Sequence, residues 1–151
     1  DNPFLDMDFV NFLLQTFEKT DCDYMSFSTS EGTPTIKTHY GFWAEAVKLS
    51  ALNKVKSMTD ESLYHEHVTN FIYANKDVFD VRFFNISEEI ESHDDIRLTI
   101  DTKTDFEIQK EIFNKIYKEK RNFNAFDVVS FLGENQQYMK IMKDEILKNQ
   151  K

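Results

Sequence analysis

The sequence predicts an α/β layered domain, with a mixed sheet and a helical tail at its C-terminal end. Segments with a helix period alternate with short runs rich in branched and aromatic residues. Only three Gly and two Pro are spread over 151 residues, which leaves little material for an internal linker. The last quarter shows helical patterning alone. One domain spanning 1–151 is therefore expected, long enough to bury a substantial core.

Taken in order, "DMDFVNFLLQTFEKTD" places Phe9, Val10, Leu13, Leu14 and Phe17 on one helical face, with Asp6 or Asp8 as its N-cap. "DYMSFST" reads as a short strand, and the polar "EGTPTIKTHYG" as a surface loop or hairpin. "GFWAEAVKL" predicts a strand with Glu45 among apolar neighbours, and "SALNKVKS" a short helix capped by Ser50. One helix is expected from Thr59 or Asp60 through "SLYHEHVTNFIYANKD", its acidic first turn suiting the helix dipole. "DVRFFNI" reads as a strand and "ISEEIESHDD" as an exposed acidic loop, too irregular for a calcium-binding frame. "IRLTID" alternates and predicts a strand ending at Asp101. The helix "TKTDFEIQKEIFNKIYKEK" follows, with Phe106, Ile108, Ile112, Phe113, Ile116 and Tyr117 on its apolar face and Thr102 or Thr104 as its cap. Two more helices, about Asn124–Leu132 and Glu134–Lys148, are separated at Gly133.

Hydrophobic content of 40%, with fifteen Phe, fits a globular core. A formal net charge of -9 argues against nucleic acid or an anionic membrane as partner. It suits an acidic patch offset by a divalent cation. The single cysteine, Cys22, cannot form an internal disulfide and fits a reducing, cytoplasmic setting as an inert thiol. No apolar run is long enough to cross a bilayer. The chain opens on Asp1 without a starter Met, so the natural N-terminus can lie upstream.

Three segments carry a resemblance to a known family. "DNPFLDMDFVNFLLQTF" is similar to a "GD-x-P-L-(I/L)-D" turn followed by a helix. "YHEHVTNFIYANKDVFDVRFFN" resembles a "REHVTPYIY" helix and the strand after it. "IRLTIDTKTDFEIQKEIFNKIY" is similar to "RLTVDTPEDFELIRAIYEEL". In this order and spacing they resemble the sugar cytidylyltransferases of the spore-coat polysaccharide type, related to the CMP-KDO and CMP-sialate synthetases. The resemblance covers nearly the whole chain and implies part of a Rossmann-like nucleotide-diphospho-sugar transferase fold. It further implies CTP and a sugar acid as substrates, Mg²⁺ as cofactor and a homodimer. Two departures stand out. The family's N-terminal strand and basic Gly- and Arg-containing triphosphate loop have no counterpart here, so the chain is expected to be the C-terminal part of the enzyme and inactive alone. "GFWAEAVKLSAL" matches the family's "G-x-x-x-E-V-F-x-x-x-A-L" only loosely.

Nucleotidyl transfer demands positioning and charge neutralisation more than covalent work. Mg²⁺ takes hard oxygen ligands, commonly one or two carboxylates with water and phosphate. In an open α/β sheet such ligands sit at the carboxyl ends of strands. The resemblance places the two metal-holding aspartates at Asp1 and Asp101. An Asp before a helix is also a common N-cap, although Thr102 and Thr104 can do that work. Glu45 either faces sugar hydroxyls, as the resemblance implies, or lies on the wet face of an alternating strand. Glu66 and His67 fall near the family's sugar pocket and subunit contact, though a helical His is commonly structural. His65 and His67 are two apart and make a poor metal pair. Arg97 either grips a sugar carboxylate with two prongs or forms an ordinary salt bridge. Two rivals remain: a non-catalytic dimerisation or assembly module using Phe42, Trp43 and Phe71 as its surface, and a metal-dependent nucleotide-sugar glycosyltransferase.

Overall fold

The computed structural model describes residues 2–149, the side chains of His65 and Glu66 excepted. At its centre lies β1, Tyr24–Ser28, flanked in the order β2-β1-β3 by β2, Ala46–Val47, and β3, Val81–Asn85. β1 pairs antiparallel with β2 and parallel with β3, so the sheet is mixed as expected. All five residues of β1 are buried. The reason is that both faces are covered, and the period-2 alternation of the strand sends side chains into two cores. Met25 and Phe27 join the larger core, with Leu13 and residues of the C-terminal helices. Tyr24 enters a smaller one with Ala51, Val55, Ile72, Tyr73 and Phe79. Phe84 and Phe83 of β3 divide between the two cores in the same way.

The first helix, α1 (Met7–Glu18), begins at Asp6, whose Oδ1 accepts the N–H groups of Asp8 at 2.8 Å and Phe9 at 3.3 Å. Its other oxygen accepts from the N–H of Ala125 at 2.7 Å, the first residue of α7 (Ala125–Glu134). One carboxylate therefore closes the start of two helices that are 119 positions apart in sequence. The smaller core is roofed by α2 (Leu49–Met58) and α4 (Val68–Ala74). On the larger core lie α6 (Lys103–Glu119), α7 and α8 (Gln136–Lys148), the helical tail read from the sequence. Both α6 and α7 begin in capping boxes, Thr102 with Asp105 and Asn124 with Asp127.

Several expectations need correction. The single helix from Thr59 is two: α3 (Leu63–Glu66) and α4, broken at His67, whose ψ of 61° is not helical. α2 starts at Leu49 with Lys48 as N-cap and no side-chain cap bond, so Ser50 is not the cap. The acidic loop contains one helical turn, α5 (Glu88–Glu91), capped by Ser87 and pinned by the buried Ile90. α7 runs through Gly133, and the tail breaks at Asn135. The strand expected over "GFWAEAVKL" shrinks to Ala46–Val47. Phe106 and Tyr117, expected on the buried face of α6, are 49% and 44% exposed. Phe42 and Trp43 are core residues and offer no outer surface for a subunit contact.

The correction that matters most concerns "IRLTID", which forms no strand. Its backbone groups are taken by side chains instead of a neighbouring ladder. Met142 Sδ lies 3.5 Å from the Arg97 N–H, Gln109 donates to the Thr99 carbonyl, and Asp105 accepts from the N–H groups of Asp101 and Thr102. One backbone bond, Leu98 N–H to the His39 carbonyl at 2.7 Å, ties it to the segment before β2. There the chains meet closely. Gly41 has φ +73°, and a Cβ at that position would stand 2.6 Å from the Leu98 carbonyl oxygen.

Candidate functional site

Two polar constellations stand on the stretch 37–45 and the elements it touches. The first centres on Arg97. The alternation of "IRLTID" places Arg97 outward, yet it is 2% exposed. Its Nε and Nη2 form a two-pronged pair with Asp105, at 2.8 and 2.9 Å. Nη2 also donates to Asp101 Oδ2 at 2.9 Å, and Nη1 lies 2.9 Å from His39 Nδ1. Burial alone pushes the Asp105 carboxyl up. The bonds from Arg97 and from the N–H groups of Asp101 and Thr102 outweigh it and hold the group below the usual range. Burial, and then the charge of Arg97, lower His39 from its ordinary value.

Asp101 itself is not the cap of α6. Thr102 accepts the Asp105 N–H at 3.1 Å, and Asp105 answers on the Thr102 N–H at 2.8 Å. The Asp101 side chain is 63% exposed, and the two bonds it accepts, from Arg97 and from Thr99 Oγ1, both fall on Oδ2.

The second constellation centres on Glu45. Tyr24 donates its hydroxyl to Oε1, and Thr69 donates to Oε2 at 3.3 Å. Among the described residues no cation pairs with this carboxylate, and burial raises its pKa despite the two hydroxyl bonds. Tyr24 is itself driven far above its ordinary value, by burial and by the neighbouring carboxylate. Tyr73 packs against Tyr24 with ring centroids 5.8 Å apart, and Lys37 places its ammonium 5.2 Å from the Tyr73 ring centre. A half-buried carboxylate beside aromatic rings and hydroxyls suits a polyhydroxylated ligand.

No protein-family model matches the chain. It is 28% identical over 141 residues to the uncharacterized protein MJ1063 of Methanocaldococcus jannaschii, covering 93% of this chain and 54% of that protein. It is likewise 28% identical over 138 residues to the spore coat polysaccharide biosynthesis protein SpsF of Bacillus subtilis, covering 89% of this chain and 52% of SpsF. Among solved structures, a cytidylyltransferase from Leptospira borgpetersenii serovar Hardjo-bovis superposes with a TM-score of 0.74 at 20% identity, over 92% of this chain and 55% of that one. The fold is that of a cytidylyltransferase. The chain is thus similar in sequence to a spore coat polysaccharide biosynthesis protein and in fold to a cytidylyltransferase. The chain spans about half the length of the curated relatives it matches.

Within this cytidylyltransferase fold the expected site residues scatter. Asp1 lies outside the described residues, as does the side chain of Glu66. His67 is exposed at the break between α3 and α4, two residues before Thr69. Glu45 sits just before β2 with its carboxylate turned into the Tyr24 and Thr69 hydroxyls, not onto a wet face. Arg97 has its fork on Asp105, which is the salt-bridging alternative. No group of three or more His, Cys, Asp or Glu gathers for a metal among the described residues. No described helix is long and apolar enough to cross a membrane. A cleft of about 440 Å³ between α2 and α3, lined by Leu52, Val55, Tyr64 and Val68 among others, touches none of the expected site residues whose side chains are described.

Sequence reading missed Tyr24, Thr69, Lys37 and His39. Tyr24 and Thr69 read as ordinary strand and helix residues, and their convergence on Glu45 depends on the register of β1 with β2. Asp105 was legible as a helix-start acid, but not as the partner that draws Arg97 inside.

Proposed function

We propose that the full-length protein transfers a cytidylyl group from CTP to a sugar acid, yielding a CMP-sugar for surface polysaccharide, with Mg²⁺ held by Asp101 together with Asp1. The observation that carries this reading is the state of Asp101. It stands at the entrance to α6 with its carboxylate exposed, while the capping work is done by Thr102 and Asp105. An exposed carboxylate with one oxygen outside its bond to Arg97 fits the hard, partly hydrated shell of Mg²⁺, which needs only one or two protein carboxylates. The cation would neutralise charge on the phosphates as the sugar oxygen attacks the α-phosphorus and pyrophosphate leaves.

This chain's own residues contribute positioning. Arg97, locked by Asp105, anchors Asp101 through Nη2 and fixes where the carboxylate stands. Glu45, oriented by Tyr24 and Thr69, would hold sugar hydroxyls. The location of the chemistry is the cytoplasm, where CTP is found, and the active form is a homodimer.

The test is pyrophosphate release by the full-length protein given CTP, Mg²⁺ and a panel of sugar acids. Asp101→Asn should lower kcat at least about a hundredfold. It should shift stability by less than about 1 kcal/mol, because the Asp101 side chain is 63% exposed and the buried Arg97 keeps its pair with Asp105. Product formed from UDP- or GDP-sugars but never from CTP would replace this reading with that of a glycosyltransferase.

A further inference from the structure

We infer that His39 binds an anionic phosphate oxygen of the nucleotide beside Asp101, through an Nε2–H donor on a neutral imidazole whose tautomer Arg97 fixes. A guanidinium carries donors and no acceptor. With Arg97 Nη1 at 2.9 Å, His39 Nδ1 must be the lone-pair side of the ring. The proton of the neutral ring is therefore on Nε2, and a doubly protonated ring would oppose N–H to N–H across this contact. Nε2 has no partner among the described residues, and it is absent from the buried orphans, which are Trp43 Nε1 and Gln109 Oε1. His39 is half-buried, so part of the residue is exposed to solvent.

His39 and Asp101 hang from adjacent nitrogens of one guanidinium, Nη1 and Nη2. The backbone keeps them together as well, since the His39 carbonyl accepts the Leu98 N–H. With His39 neutral, the group of Arg97, Asp101 and Asp105 carries one net negative charge. A divalent cation relieves that charge, and the anion it brings then meets an N–H donor at the same rim. The tautomer follows from geometry alone, whereas the choice of phosphate rests on the cytidylyltransferase reading. His39 is not a metal ligand in this arrangement: Nδ1 is occupied and Nε2 bears the proton.

The experiment has two readouts, both on the full-length protein. Long-range ¹⁵N–¹H spectra at pH 7 should show His39 as the Nε2–H tautomer, and an Nδ1–H or doubly protonated ring overturns the inference. Calorimetric titration with CTP and Mg²⁺ then compares His39→Asn, which keeps an acceptor for Arg97 but is too short to reach the ligand, with His39→Gln, which restores a donor near Nε2. Asn should weaken binding about tenfold or more, the scale of one hydrogen bond to a charged group, and Gln should recover most of it. Wild-type affinity in His39→Asn, or no rescue by Gln, overturns the role of His39 and leaves cytidylyl transfer standing. No binding of CTP by the unaltered protein overturns both.

Discussion

Replacing Asp105 with Asn removes one charge from a buried pair and tests whether Arg97 serves structure or substrate. Asp105 is 3% exposed and accepts four hydrogen bonds: two from Arg97, one from the Asp101 N–H and one from the Thr102 N–H. The Asn amide must turn an N–H toward one of these donors. Arg97, 2% exposed, is left with Asp101 as its counter-charge, and that side chain is 63% in solvent. Breaking a buried pair by removing one partner costs about 3–5 kcal/mol. For a domain of this size each kcal/mol moves Tm by about 2–4 °C, so a fall near 10 °C is expected by circular dichroism at pH 7. The pH dependence follows from the sign of the shift. Asp105 is held below its unfolded value of 3.8, so it contributes stability above that value, and the contribution is lost as pH falls through the lower folded pKa. The gap between wild type and Asp105→Asn should be constant above about pH 5 and close in strong acid. The double replacement Arg97→Met with Asp105→Leu should regain most of the loss, since apolar isosteres often match a buried pair. A Tm within 2 °C of wild type for Asp105→Asn would refute the argument and return Arg97 to the candidates for gripping a substrate carboxylate.

Glu45→Gln should raise stability at neutral pH, by about 1 kcal/mol. The Glu45 pKa is raised by burial, so its folded form is favoured when protonated; that contribution is complete below the unfolded value of 4.5 and lost as pH rises through the folded pKa. The advantage of Gln should therefore vanish below pH 4.5 in a thermal series, while sugar KM rises in the turnover assay. Asp6→Ala should cost about 2 kcal/mol in urea unfolding, at the upper end for a lost cap because α1 and α7 both lose their acceptor. Asp6→Asn should retain one of the two caps and lose about half as much.

The helices α1, α6 and α7 were legible because each carries its own punctuation. Asp6 before α1, the Thr102 and Asp105 spacing before α6 and Asn124 before α7 all mark their starts in sequence. β1 and β3 were equally plain, since their alternation feeds two cores at once. "IRLTID" was misread for the opposite reason. Its pattern is that of a strand, but the groups that satisfy its backbone come from the first turns of α6 and from α8, whose Met142 lies 45 positions from Arg97. The same holds at the site. Asp101 and Glu45 were visible as carboxylates in unusual places. The Glu45 partners Tyr24 and Thr69 lie 21 and 24 positions away, His39 reaches Arg97 across 58, and all arrive through the packing of separate elements.

The contact between Gly41 and Leu98 bears on how such a protein can diversify. The stretch that presents Lys37, His39 and Glu45 is riveted at its midpoint by a carbonyl with no room for a methyl group beside it. Sliding that loop by one residue would drive a side chain into the rivet, so its phase is frozen while its flanks stay free. New ligand preferences should therefore arise by exchanging individual side chains on either side of Gly41, and an engineer seeking a different specificity should randomise those flanks and leave the loop length alone.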